Sequence, residues 1–116
     1  MGNRKLWDSF KYAIEGVFYA FKTQRNIRIH FIAMIILTIL MFCYAIESQD
    51  ICILLICAMI VIVTEMVNTS VEKTIDLYTD QYHPLAKIAK DVAAGAVLIG
   101  SIISIIIGII IFSKYI

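Results

Sequence analysis

Glu65, Asn68, Glu72 and Asp76 are the residues of this chain whose types and spacing could do chemistry. At about 100° per residue they fall on one helical stripe roughly 80° wide. Like charges stacked this closely repel, so the stripe calls for a cation, a proton or a basic partner. Carboxylates can hold Mg²⁺ against a polyphosphate, lysine or arginine can balance a phosphoryl group in transfer, and one carboxylate can orient a hydroxyl. Glu65, the deepest of the stripe, would meet an acceptor hydroxyl at a lipid boundary. Glu72, about 10 Å further along the axis, would meet the metal in a wetter zone, and Lys90 would reach a phosphate. Lys73 lies about 80° from Glu65 around the helix and could neutralise part of the cluster. Asp76 is either a fourth member of the site or a solvated helix end.

The stripe needs an element to carry it, and the residues before it supply one. Ile51–Val63 is thirteen residues without a charge, running straight into Glu65. Hydrophobic residues make up 61% of the 116-residue chain and charged residues 16%, a balance unlike that of a soluble domain. Two further apolar runs account for it: Phe31–Ile46, sixteen residues, and Val92–Ser113, twenty-two. About 20 residues of helix cross the hydrocarbon core, so the last run is long enough alone. The first two reach that length when polar residues at one end are counted in. The expected architecture is a single all-α membrane domain over residues 1–116, with spans at about 27–46, 51–72 and 91–113.

Charge sets the orientation. Arg4, Lys5, Lys11, Lys22, Arg25 and Arg28 precede the first span, and Lys73, Lys87 and Lys90 lie between the second and third. The segment Glu47-Ser48-Gln49-Asp50 has no basic residue, and the tail has only Lys114. The positive-inside rule puts the N-terminus and the 73–91 segment in the cytosol, and the short hairpin and C-terminus outside. The acidic stripe then faces the compartment that holds nucleotides. A net charge of +1 says little by itself, and no nucleic-acid partner is expected.

The other features position or enclose the stripe. Trp7, Phe10, Ile14, Val17 and Phe21 recur at steps of three and four, the pattern of an amphipathic surface helix over about 4–22, which Asn3 could cap. That stretch is too charged for a signal peptide. Its polar face, Tyr12 included, either only anchors the protein or closes over a site made by the other helices. Arg25 and Arg28, one turn apart, suit either a phosphate or anionic headgroups. His30, at the boundary, reads as a satisfied polar group, and Cys43, Cys52 and Cys57 as small hydrophobes. Pro84 suits the first turn of a new helix. Ala96, Gly100, Ser104 and Gly108 make a small-residue stripe for close helix packing. Three spans shield an acidic stripe poorly, which argues for a homo-oligomer. The usual glycine-rich nucleotide loops and the hydrolase elbow are absent.

The run Glu65-x-x-Asn68-Thr69-x-x-Glu72, followed by Tyr82-His83-Pro84-Leu85-Ala86-Lys87 and Ala89-Lys90-Asp91, closely resembles the prokaryotic diacylglycerol kinase family. Ala13-Ile14-Glu15-Gly16 and Arg25-Asn26-x-Arg28-Ile29-His30 fit as well, so the resemblance covers nearly the whole chain. The Arg-Ile-His and His-Pro-Leu-Ala-Lys details look like the Gram-positive branch, whose members phosphorylate undecaprenol rather than diacylglycerol. The resemblance implies a homotrimer in the bacterial cell membrane, with ATP as co-substrate, Mg²⁺ as cofactor and a lipid alcohol as acceptor. By position it makes Glu65 the proton acceptor with Asn68 beside it, and Glu72 a metal carboxylate that also serves ATP. Tyr12, Gln81, Tyr82, His83, Lys90 and Asp91 become nucleotide contacts. Gln24 stands where the family usually has a metal-binding glutamate, so the ion should be held more weakly here.

A second reading is a small proton-coupled multidrug-type transporter with an intramembrane glutamate. Such proteins have four spans and carry the glutamate in the first. A non-catalytic membrane oligomer would leave Glu65, Asn68 and Glu72 without a purpose.

Overall fold

The computed structural model describes residues 2–116, with side chains from Lys5 onward. It contains four helices: α1 (Gly2–Thr23), α2 (Arg25–Cys43), α3 (Ser48–Tyr78) and α4 (Pro84–Ser113). No strand occurs among the described residues. α2, α3 and α4 are each long and apolar enough to cross a membrane. This is an all-helical membrane protein with three candidate spans, one fewer than the transporter reading requires. Asn3 lies inside α1, and its side chain is outside the described residues.

The first joint is tighter than the polar run 23–30 suggests. With no glycine or proline between Gly16 and Pro84, nothing forces a linker, and the helix breaks at Gln24 alone. Gln24 is extended (φ −111°, ψ 110°) and its side chain makes no capping bond. Arg28 instead ties the corner. Its Nη1 donates to the carbonyls of Phe21 (3.1 Å) and Lys22 (2.8 Å), which the end of α1 leaves without helical partners. Phe21 also packs edge-on against Phe31, ring centroids 5.5 Å apart. Arg28 is therefore a cap in this fold through its Nη1.

At the opposite end, α2 and α3 are joined by the four-residue turn 44–47, in which Ala45 takes a positive φ of 49°. Ser48 to Asp50, which read as hairpin from sequence, already belong to α3. Asp50 is buried there and gathers the C-terminus. It accepts from Lys114 Nζ (3.1 and 2.9 Å) and from the Tyr115 hydroxyl (2.7 Å), and that hydroxyl accepts from the Glu47 amide (3.0 Å). The Tyr115 hydrogen bond and then that of Lys114 hold the Asp50 carboxyl below its ordinary pKa. Met41, Ile46, Leu54 and Ile111 pack beside this clasp.

α3 and α4 form the main helix pair. Ser104 Oγ donates to the Cys57 carbonyl (3.3 Å), and a Cβ at Gly100 would come 3.2 Å from Ile60 Cγ2. Nothing lies within 4 Å of a Cβ at Gly108. Half of the small-residue stripe thus brings α3 close, and Gly108 is open within the chain. Cys57 is buried, whereas Cys43 and Cys52 are on exposed helix surface.

Candidate functional site

α3 continues eight helical turns' worth of chain without a break, to Tyr78, so the apolar span and the acidic stripe are one rigid element. Glu65 is 7% exposed and Thr69, one turn on, is 7% exposed. The Thr69 hydroxyl donates to the Glu65 carbonyl at 3.0 Å, which satisfies it locally. Glu65 and Asn68 open into a pocket of ≈ 280 Å³ between α2, α3 and α4. Asn26, Ser101 and the apolar Ala94, Val97 and Leu98 complete its lining. Asn68 Oδ1 is sealed from solvent and has no hydrogen-bond partner among the described residues. A sealed acceptor without a donor is costly and uncommon in a folded protein. His30 reaches the same place from α2, its Nε2 3.4 Å from Glu65 Oε1.

A second pocket, ≈ 270 Å³, lies where α3 turns into α4. It gathers Gln81, Tyr82, His83, Lys90 and Asp91, all five nucleotide contacts expected from this end of the chain. The local reason is the start of α4. Pro84 opens the helix, and His83 Nδ1 caps it by accepting from the Leu85 amide at 3.1 Å. That fixes the imidazole and leaves its Nε2 for another partner. Lys90 donates to Asp76 Oδ1 at 2.8 Å, and Lys87 pairs with Asp91 one turn away. The Asp76 hydrogen bond raises the Lys90 pKa, with a further contribution from the charge of Glu72, and the Lys90 hydrogen bond lowers that of Asp76. Asp76 is therefore more than a solvated helix end: it holds the ammonium of Lys90. Lys73 makes no ion pair among the described residues, though its charge also favours ionised Asp76.

Three expected residues line neither pocket. Tyr12 is exposed on α1, at 64%. Gln24 is half-buried at the α1–α2 break, and Glu72 is half-buried on α3 between the two pockets. Among the described residues no group of three His, Cys, Asp or Glu is placed to hold a metal unaided. Mg²⁺ commonly takes one or two carboxylates and completes its shell with substrate phosphate and water. Glu72 makes no ion pair among the described residues, so its carboxylate is free to share a cation with a polyphosphate. The donor set fits that kind of metal, and not one caged by protein. Sequence reading passed over Asn26, Ser101 and the His30 contact. Only the polarity of Asn26 and Ser101 near apolar runs could have marked them.

Fold and site together define a small helical membrane protein in which the expected site residues gather mainly in two polar pockets: one around Glu65, where the apolar run of α3 ends, the other rich in charge at the start of α4. The sequence model of the prokaryotic diacylglycerol kinase family matches residues 11–112, and the chain belongs to that family. It is 45% identical over 102 residues to a diacylglycerol kinase of Synechocystis, with 86% of this chain and 58% of that protein covered. It is 38% identical over 108 residues to an undecaprenol kinase of Bacillus subtilis, with 93% of this chain and 88% of that protein covered. A diacylglycerol kinase of Helicobacter pylori matches over 41 residues at 51% identity, 35% of this chain and 32% of that protein. The chain thus spans little more than half of the Synechocystis relative and most of the Bacillus one. Neither the family match nor any of these relatives supports the transporter reading.

Proposed function

We propose that this chain is an ATP- and Mg²⁺-dependent lipid kinase that phosphorylates the hydroxyl of undecaprenol, with diacylglycerol as the other candidate acceptor. The observation that carries the reading is the pocket of Glu65 and Asn68. A buried carboxylate and a carboxamide oxygen unpaired among the described residues line one pocket where the apolar run of α3 gives way to its acidic stripe, where a lipid alcohol would present its one polar group. Undecaprenol is favoured because the relative matched along most of both chains is named an undecaprenol kinase.

In the reaction the lipid oxygen attacks the γ-phosphorus of ATP, its proton passes to Glu65, and the bond to the β-phosphate oxygen breaks to release ADP. Asn68 Oδ1 accepts a hydrogen bond from the lipid hydroxyl in the resting complex, and the hydroxyl turns to Glu65, which takes its proton at transfer. Lys90, held by Asp76, offsets charge on the phosphates, while Gln81, Tyr82, His83 and Asp91 shape the nucleotide pocket. Tyr12 would cover the nucleotide from the polar face of α1. Glu72 would hold Mg²⁺ together with Gln24, and the ion would neutralise the β- and γ-phosphates. The whole chain acts as one membrane domain, N-terminus and α3–α4 turn in the cytosol of a bacterial plasma membrane. It assembles as a homotrimer. Only Ile111 of α4 is buried within the chain, which leaves an apolar helix for lipid or a neighbouring copy to cover.

Purified protein given labelled ATP, Mg²⁺ and each lipid tests the reading. Labelled phosphate should appear in undecaprenyl phosphate at a higher kcat/KM than in phosphatidic acid. The reverse order would overturn the choice of acceptor, and transfer to neither would overturn the kinase.

A further inference from the structure

His30 is placed to do more than satisfy itself at the membrane boundary. Glu65 is buried, and His30 is the one basic side chain among the described residues that meets its carboxylate. A glutamate's last torsion is broad, so burial alone does not fix the plane of its carboxylate. A base must nevertheless present one oxygen to the hydroxyl within hydrogen-bond reach. Nε2 of His30 lies 3.4 Å from Oε1, a long charge contact in the substrate-free structure and not a formed hydrogen bond, and it is the group placed to restrain that oxygen as the site tightens on substrate. Glu65 also lines the pocket with Asn68, Asn26 and Ser101.

The stretch of α2 that carries His30 is well anchored. Ile27, one turn earlier on the same face of α2, is 0% exposed, and Arg28 is tied to the end of α1. The imidazole also lines a separate apolar groove of ≈ 400 Å³ with Met34, Leu37, Leu54 and Val61. Its ring therefore stands between that groove and the carboxylate, and an apolar residue there would have nothing to offer Glu65.

We propose that His30 is a positioning residue for Glu65, holding one carboxylate oxygen so that the other faces the acceptor hydroxyl. The inference rests on the lipid-kinase reading. Methionine and glutamine are close in size and both fit beside the groove, but only glutamine can donate an N–H to the carboxylate. His30→Met should lower kcat about 10- to 100-fold, the scale of a small misplacement of a reacting group, with the KM for ATP little changed. His30→Gln should recover most of that loss. Both variants are to be measured in mixed micelles of undecaprenol, with assembly followed by size-exclusion chromatography. Equal kcat values in the two variants, or wild-type kcat in His30→Met, would overturn the role of His30 while wild-type transfer upheld the kinase. Wild-type protein that assembles and transfers no phosphate would overturn the kinase reading, and this inference with it.

Discussion

The unpaired oxygen of Asn68 makes a prediction in which stability and activity move in opposite directions. Oδ1 is sealed and lacks a donor among the described residues. Leaving such a group unsatisfied costs about 1–3 kcal/mol relative to solvating it. Leucine has nearly the same size and no acceptor, and Asn68 is only half-buried as a residue, so the larger apolar tip is accommodated toward the pocket. Asn68→Leu should therefore leave the protein as stable as wild type or raise its stability by up to about 1–3 kcal/mol. If the lipid hydroxyl is the missing donor, the same free energy is recovered on substrate binding and lost in the variant. At about 1.4 kcal/mol per tenfold, that is a fall of roughly 5- to 150-fold in kcat/KM for the lipid. Unfolding by SDS in mixed micelles gives the first quantity and steady-state transfer the second. Destabilisation of Asn68→Leu by more than about 1 kcal/mol would mean that Oδ1 has a structural partner, such as a neighbouring copy, and would refute the reasoning. So would a kcat/KM for lipid equal to wild type.

Three other outcomes follow from the geometry. Because the Tyr115 and Lys114 hydrogen bonds depress the Asp50 pKa, the clasp's contribution is full above the ordinary aspartate pKa of 3.8 and is lost as pH falls through the lower folded value. Thermal melts should show an acid limb below that point which Asp50→Asn removes; an unchanged limb would clear Asp50 of the effect. Gly100→Ile should drive α3 and α4 apart and cost about 1–3 kcal/mol in SDS unfolding, because Ile60 Cγ2 already stands 3.2 Å from a Cβ there, whereas Gly108→Ala should be neutral or slightly stabilising. Gln24→Glu should lower the Mg²⁺ concentration for half-maximal activity, since a carboxylate binds Mg²⁺ better than a neutral carbonyl; an equal or higher requirement would count against a metal role at position 24.

What could be seen in the sequence was whatever depends on neighbours along the chain. The apolar run from Ile51 and the stripe from Glu65 to Asp76 are one periodic pattern, and α3 is one helix. Pro84 marks the start of α4 for the same local reason. What the sequence hid were contacts between residues far apart. Asp50 meets Lys114 and Tyr115 across 64 and 65 positions, and nothing in the composition of either end announces the pairing. Lys90 was legible as a cation near the stripe, but Asp76 as its partner depends on how α4 turns back along α3. The break at Gln24 was equally hidden: a run of polar residues reads as a linker, yet helix propensity persists through it, and the chain bends at one residue.

Those hidden contacts sort by position in a way that bears on mechanism. The Asp50 clasp and the Met41–Leu54–Ile111 cluster fasten one end of the bundle. At the other end Glu65, Asn68 and Lys90 are held by single contacts to His30, to nothing, and to Asp76. A carboxylate with one side-chain restraint, an amide oxygen with none among the described residues and an ammonium on an exposed bridge are less constrained than the continuous helix that carries two of them. On the proposed function, the fixed end and the unbroken helix set where the reactive groups sit, and the sparse contacts at the site would leave room for lipid and nucleotide to complete them. On this reading, tightening the clasp should change stability without changing kcat, and adding a protein partner to Asn68 should lower kcat/KM for lipid without opening the bundle.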